Sequence, residues 1–248
     1  MSQDILAIVK SSMNSDLQHL TNASINLANI NTPGFKRIQS LTQLNPSAFA
    51  NTLSDFLEDV GTANRAVTSV NQQVDFSNGS LKHTGNPLDV AIAGPGFFTV
   101  QTPNGAMYSR NGIMQLDAQG RLVNGQGFPV VGERGEIFLE NDQFKITSQG
   151  TIYVDEQMVD RLAIGVQADP SLIDRAGVGL YQLRQAQAVE DQDQTILVYQ
   201  AHKEQSNVQP LDEMLSLMKL TRHFELTQKM VRAYDDMLDS AINDLAKL

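Results

Sequence analysis

The residues able to do chemistry are few and scattered. The four histidines are His19, His83, His202 and His223. No two of them stand at the HxxxH or HxxE spacing that sets two ligands on one helix face. Glu133, Glu136 and Glu140 stand close in sequence, and paired carboxyl groups are the machinery of glycoside hydrolysis. These three flank turn-forming residues, where acidic side chains are ordinarily solvated. Asp191 and Asp193 could offer oxygens to calcium, but their run lacks the glycine and distal Glu of an EF-hand loop. Gly94, Gly125 and Gly177 each begin a G-x-G, and none continues to G-x-G-x-x-G or to G-K-[ST]. No G-x-S-x-G nucleophile elbow is present. The expectation is a chain with no catalytic residue, no metal and no cofactor.

Composition narrows the partners. A length of 248 residues gives room for one or two domains and a sizeable core. The net charge of −10, with no cluster of Lys and Arg, argues against nucleic acid. Cysteine is absent, so disulfides and thiolate-bound metal are excluded. No apolar run approaches the length of a membrane span, so the chain is expected not to be membrane-spanning. The N-terminus lacks a cationic stretch followed by an apolar segment and a small-residue cleavage site, so no cleaved secretory signal is expected.

With no chemistry to position, the pattern that organises the chain lies in its ends. Leu217, Phe224, Val231, Leu238 and Leu245 recur every seven residues, and Leu220, Thr227, Tyr234 and Ala241 follow three residues after the first four. That spacing predicts a coiled-coil helix over Pro210 to Leu248, roughly 55 Å long at 1.5 Å per residue. Pro210 suits the first helical turn, and Asp212 and Glu213 suit its positive dipole end. Met214, Leu226, Met230, Met237 and Ile242 lie off the seam, so more than one neighbour is expected. A second ladder, Leu6, Met13, Leu20 and Leu27, opens the chain. Asp16 interrupts it, a residue costly if buried unpaired. This helix should stop at Asn31-Thr32-Pro33-Gly34.

The middle differs in texture. Residues 38–80 are rich in Asn, Ser, Thr and Gln, with scattered Leu53, Phe56, Leu57 and Val60. From about Leu81 to Tyr199, short β-favouring runs alternate with turn signals: Asn-Gly at 78–79, 104–105, 111–112 and 124–125, then Gln119-Gly120 and Gln149-Gly150. The expected strands are 88–92, 97–100, 130–131, 137–139, 152–154, 162–166 and 180–183. The expected fold class is α+β with segregated parts. Terminal helices (1–35 and 206–248) pair as a coiled-coil domain, 36–80 is an extended connector, and 81–205 is an inserted all-β outer domain.

Four motifs carry a resemblance. The first is Asn26-Leu27-Ala28-Asn29, then Thr32-Pro33-Gly34-Phe35-Lys36. The second is Gly85-Asn86-Pro87-Leu88-Asp89 with Gly96-Phe97-Phe98. The third is Tyr108-Ser109-Arg110-Asn111-Gly112 with Asp117-x-x-Gly120-Arg121-Leu122, and the fourth is Glu204-x-Ser206-Asn207-Val208 followed by Arg222-x-Phe224-Glu225. In this order they resemble the bacterial flagellar rod and hook proteins over nearly the whole chain, least over 38–80. The run Arg222-His223-Phe224-Glu225, then Lys229-Met230, is closer to the proximal-rod type. Ser11-Ser12-Met13 and Gly94-Pro95-Gly96 depart from the family pattern and leave the rod position open between proximal and distal.

The resemblance implies a non-enzymatic building block of the basal-body rod. Its partners would be other rod subunits and further copies of itself in a helical tube, and it would pass the flagellar export apparatus without signal cleavage. It would sit in the rod within the periplasmic space and help transmit torque to the hook. It also implies that Leu6, Met13, Leu20, Leu27, Leu217, Leu220, Phe224, Val231, Tyr234, Leu238 and Leu245 act as assembly residues. Two other classes fit the bare residues: a secreted β binding module on a coiled-coil stalk, and a wall-cleaving enzyme using Glu133 or Glu136.

Overall fold

The computed structural model describes residues 2–43, 69–139, 144–166, 172–177, 179–183 and 196–245. Two long helices bracket the chain, α1 (Ser2–Ala28) and α2 (Pro210–Leu245), which bear the ladders read above. Helix α1 ends where Thr32 donates its backbone N–H to the Asn29 carbonyl at 3.1 Å, a turn that Pro33 then prevents from continuing as helix. Helix α2 starts at Pro210, whose missing N–H removes no intrahelical bond there. At 36 residues it is roughly 54 Å long. No helix among the described residues is long and apolar enough to cross a membrane.

The chain divides into two compact units. One comprises Met1–Leu27, Ile38–Gln73 and Gln209–Leu248; the other comprises Ala28–Arg37 and Val74–Val208. This division differs from the expected one. The turn after α1 clusters with the β unit, and the segment read as a connector clusters with the helices. Its described ends are strands, Ile38–Gln43 and Ser69–Val74, paired as a two-stranded sheet. Leu53, Phe56, Leu57 and Val60 lie outside the described residues, as do Glu140, Asp191 and Asp193.

The β unit is built from antiparallel pairs. Its largest sheet has five strands in the order Ile164–Gly165, Phe97–Thr102, Gly105–Ser109, Leu180–Leu183, Ile173–Arg175. A three-stranded sheet joins Phe144–Ile146, Thr151–Val154 and Gln157–Arg161. Shorter pairs complete it, among them Val90–Ala93 with Leu197–Gln200, and Leu81–His83 with His202–Glu204. One core is shared by residues from most of these, including Val90, Ile92, Phe98, Val100, Leu122, Ile152 and Val198. The expected strand 137–139 does not form a regular strand ladder. It runs beside Leu122, with Ile137 and Leu139 buried and Phe138 54% exposed between them, joined by a single bridge from Phe138 to Arg121.

The turns follow glycine only in part. Gly105, Gly120 and Gly150 take positive φ where expected, but at Asn124-Gly125 the left-handed residue is Gly127. The turn between Thr151–Val154 and Gln157–Arg161 uses Asp155 and Glu156 at φ of 47° and 66°. No glycine marks it, so the sequence reading missed it.

Candidate functional site

Residues from each of the four motifs meet within the β unit around one buried carboxylate. Glu204 ends the strand His202–Glu204 and is 3% exposed. Its Oε1 accepts from Lys36 Nζ at 2.8 Å and from the Gly79 backbone N–H at 2.8 Å. Its Oε2 accepts from Arg110 Nε at 2.5 Å. Its backbone carbonyl accepts from the Gly34 N–H at 2.9 Å. Two cations thus face one anion, and main-chain oxygens balance the excess. Lys36 also donates to the Ser77 carbonyl at 2.7 Å. Arg110 donates to the carbonyls of Gly96 and Ile92 and to Asn78 Oδ1. No buried side-chain nitrogen or oxygen among the described residues lacks a partner. Burial pushes the Lys36 ammonium below its ordinary range, and the charge and hydrogen bond of Glu204 act against that shift.

Such a cluster contributes little net stability beyond an apolar core of equal volume, but removing one member strands the others in a dry interior. It therefore fixes geometry. Gly34 sits at φ of 68°, and a Cβ there would come within 2.6 Å of the Arg110 and Asn111 backbone. Only glycine allows that approach. Gly79 has the same requirement without a left-handed turn, since a Cβ would lie 1.8 Å from the Gln205 carbonyl oxygen. Phe35, between Gly34 and Lys36, is buried at 3%.

Asparagines tie the neighbouring backbone. Within the helical unit, Asn26 projects from α1 and is 1% exposed. It donates through Nδ2 to the Ile38 carbonyl at 2.9 Å and accepts the Ile38 N–H at 2.8 Å, as a partner strand would. In the β unit, Asn207 accepts the Arg37 N–H at 2.7 Å and donates to the Asp75 carbonyl at 2.8 Å. Asn86 accepts the Leu88 N–H and donates to Asp89 Oδ1, closing the turn after Gly85. Phe97 and Phe98 point to opposite faces of their strand: Phe98 enters the core, while Phe97 packs with Phe76 and Tyr181, ring centroids 5.4–5.6 Å apart. Burial raises the Tyr181 hydroxyl to about 12.

The ladder residues show a different environment. Met13, Leu20 and Leu27 are half-buried, as are Leu217, Leu220, Phe224, Val231 and Tyr234. The side chains of Leu6, Leu238 and Leu245 lie outside the described set. Asp16, the flaw in the first ladder, is buried and lies 2.7 Å from His223 Nδ1 of α2. Leu211, Met218, Leu226, Met230 and Met237 are 53–69% exposed. At about 100° per residue Leu211, Met218 and Leu226 lie on the side of α2 away from the seam, while Met230 and Met237 flank it beside Tyr234. Ala28 is exposed; Asn29, Thr32 and Pro33 are half-buried around the helix end.

Two of the carboxylates considered for catalysis, Glu133 and Glu136, are surface groups. Glu133 and Glu136 pair with Arg161 and Arg121, each at 3.4 Å and partly exposed. Arg110 and Glu204 stood out in the sequence only as members of motifs. The sign that could have singled them out is a charge inside each of three motifs, Lys36, Arg110 and Glu204, two positive and one negative.

The chain is similar to known proteins over most of its length. A family model described as the flagellar basal body rod FlgEFG protein C-terminal region matches residues 199–245. Another, described as the flagellar hook protein FlgE/F/G D1 domain, matches residues 91–154. The flagellar basal-body rod protein FlgG of Buchnera aphidicola subsp. Schizaphis graminum is 31% identical, over 94% of this chain and 96% of the relative. The flagellar basal-body rod protein FlgF of Salmonella typhimurium is 32% identical, over 85% of this chain and 86% of the relative. A flagellar hook-basal body complex protein of Bacillus subtilis, FlhO, is 26% identical over 91% and 92%.

Proposed function

The chain belongs to the flagellar basal-body rod protein family, and from that premise we propose how it works as a structural subunit of the rod. The observation that carries the reading is the set of large apolar side chains that α2 leaves exposed outside its seam. The seam of Leu217, Leu220, Phe224, Val231 and Tyr234 is half-buried, and the off-seam residues Leu211, Met218, Leu226, Met230 and Met237 are open. The seam pairs with α1 through Met13, Leu20 and Leu27, with Asp16 and His223 marking the register. The open face takes further subunits, so that copies and related subunits stack into a tube. The driving force is burial of apolar area, about 25 cal/mol per Å² removed from water.

The β unit makes lateral contacts and stiffens the shaft that carries torque toward the hook. The subunit occupies the proximal part of the rod, in the periplasmic space, and reaches it through the flagellar export apparatus without signal cleavage. The run Arg222-His223-Phe224-Glu225 favours the proximal over the distal position.

Electron microscopy of basal bodies from a strain lacking this protein tests the reading. The expected result is basal bodies that halt at the inner-membrane ring, restored by the intact gene. Complete rods without hooks would move the subunit distally or to the hook. Normal flagella would overturn the structural role.

A further inference from the structure

His83 and His202, 119 residues apart in sequence, are brought together in a way the rod reading does not use. They are directly opposed on the antiparallel pair Leu81–His83 and His202–Glu204. Their ring centroids are 4.8 Å apart. His202 Nδ1 lies 2.7 Å from the Gln200 carbonyl oxygen. A carbonyl only accepts, so Nδ1 carries a proton, and in the neutral ring the lone pair is on Nε2. A second hydrogen bond of this kind, from the far ring nitrogen to a backbone carbonyl, is how ligating histidines are oriented and made more basic. The Tyr199 ring packs on His202 from another side, 5.8 Å between centroids. Lys82 and Lys203 occupy the adjacent opposed position, which the strand pleat turns to the other face, so their charges do not crowd the imidazoles.

We propose that His83 and His202 form a two-imidazole site for a divalent transition-metal ion of the zinc, nickel or copper class. Imidazole suits these ions and not calcium or magnesium. Among the described residues no group of three or more His, Asp or Glu gathers as a metal site. The ion is therefore held by two nitrogens, with water in its remaining positions, at a partly exposed place that lets it enter and leave. Binding staples the strand that carries Glu204 to its only partner in that two-stranded sheet. The ion acts as a reversible clamp on the β unit, and the proposal stands or falls independently of the rod assignment.

The test uses the full chain, free of affinity tags, with Zn²⁺ for calorimetry and thermal shift and Cu²⁺ for electron paramagnetic resonance. The expected result is one tight equivalent, Cu²⁺ spectra showing two imidazole nitrogens, and a higher melting temperature with Zn²⁺. His83→Phe preserves a ring against His202 but removes the ligand. It should weaken binding at least about tenfold and abolish the Zn²⁺ shift, and His202→Gln should do the same. The His19→Gln variant should bind as the parent does. Unchanged affinity in His83→Phe, or loss of binding in His19→Gln, would overturn the site.

Discussion

The β unit and the helical unit answer the same problem, burying apolar surface, in opposite ways. In the β unit the core side chains are closed off, with Val100, Leu122 and Ile152 at 0% exposure, and the buried charges around Glu204 are matched group by group. In the helical unit several apolar side chains of α2 are open, with Leu211 at 69% and Met230 at 68%. A surface of that kind on a helix of 36 residues is unfinished on its own. The difference teaches that one unit completes its fold within the chain, whereas the other leaves part of its stabilisation to its neighbours.

The largest effect should come from breaking the finished unit. Glu204→Ala leaves Lys36 and Arg110 facing each other in a dry interior. The expected loss is about 3–5 kcal/mol of stability, read by denaturant unfolding of the purified chain. A loss below about 1 kcal/mol would mean that water reaches the cluster and that the β unit is less closed than described.

Alkaline titration sharpens the same side of the comparison. Tyr181 is raised from 10.0 to about 12 by burial. The unfolded chain loses this proton first, so its contribution is intact below pH 10 and is lost as pH rises through about 12. The full amount is about 3 kcal/mol. Lys36, lowered by burial, acts in the opposite sense. Between its folded value and the ordinary lysine value the unfolded chain binds more protons, so its contribution rises with pH. Urea midpoints of the parent and of Tyr181→Phe, compared across this range, isolate the tyrosine. A constant difference between them would refute its burial.

Asn26→Ala removes both hydrogen bonds to Ile38 and leaves a buried N–H and carbonyl without their side-chain partner. The expected loss is about 1–3 kcal/mol, with faster amide exchange at Ile38. The smallest effect on the isolated chain should come from Met230→Glu together with Met237→Glu, within about 0.5 kcal/mol. The same variant should fail to support motility. A strong destabilisation of the isolated chain would show that this face is already covered within the molecule.

The sequence reveals the two units unevenly. Helices announce themselves through local periodicity, so the ladders from Leu6 and from Leu217 pointed to α1 and α2. Strands with an apolar face, such as Val90–Ala93 and Phe97–Thr102, were also legible. The polar pair Ile38–Gln43 and Ser69–Val74 was not, because Ser, Thr and Gln carry no contrast between faces. The Glu204 cluster was illegible for another reason. Its partners lie 94 and 168 residues away, and no local pattern encodes a contact at that distance. Asp16 shows the same limit: the sequence marks it as a defect in the seam, and the structure supplies His223.

The span of the Glu204 cluster also has a consequence in time. Closing a loop of 168 residues between Lys36 and Glu204 carries a loop entropy that short hairpins avoid. Hairpins such as Phe97–Thr102 with Gly105–Ser109 are expected to form before the ion cluster closes. An interaction made after the folding barrier governs escape more than entry. The carboxylate of Glu204 is then a latch on the lifetime of the folded state: a chain lacking it would fold at nearly the normal rate and come apart sooner.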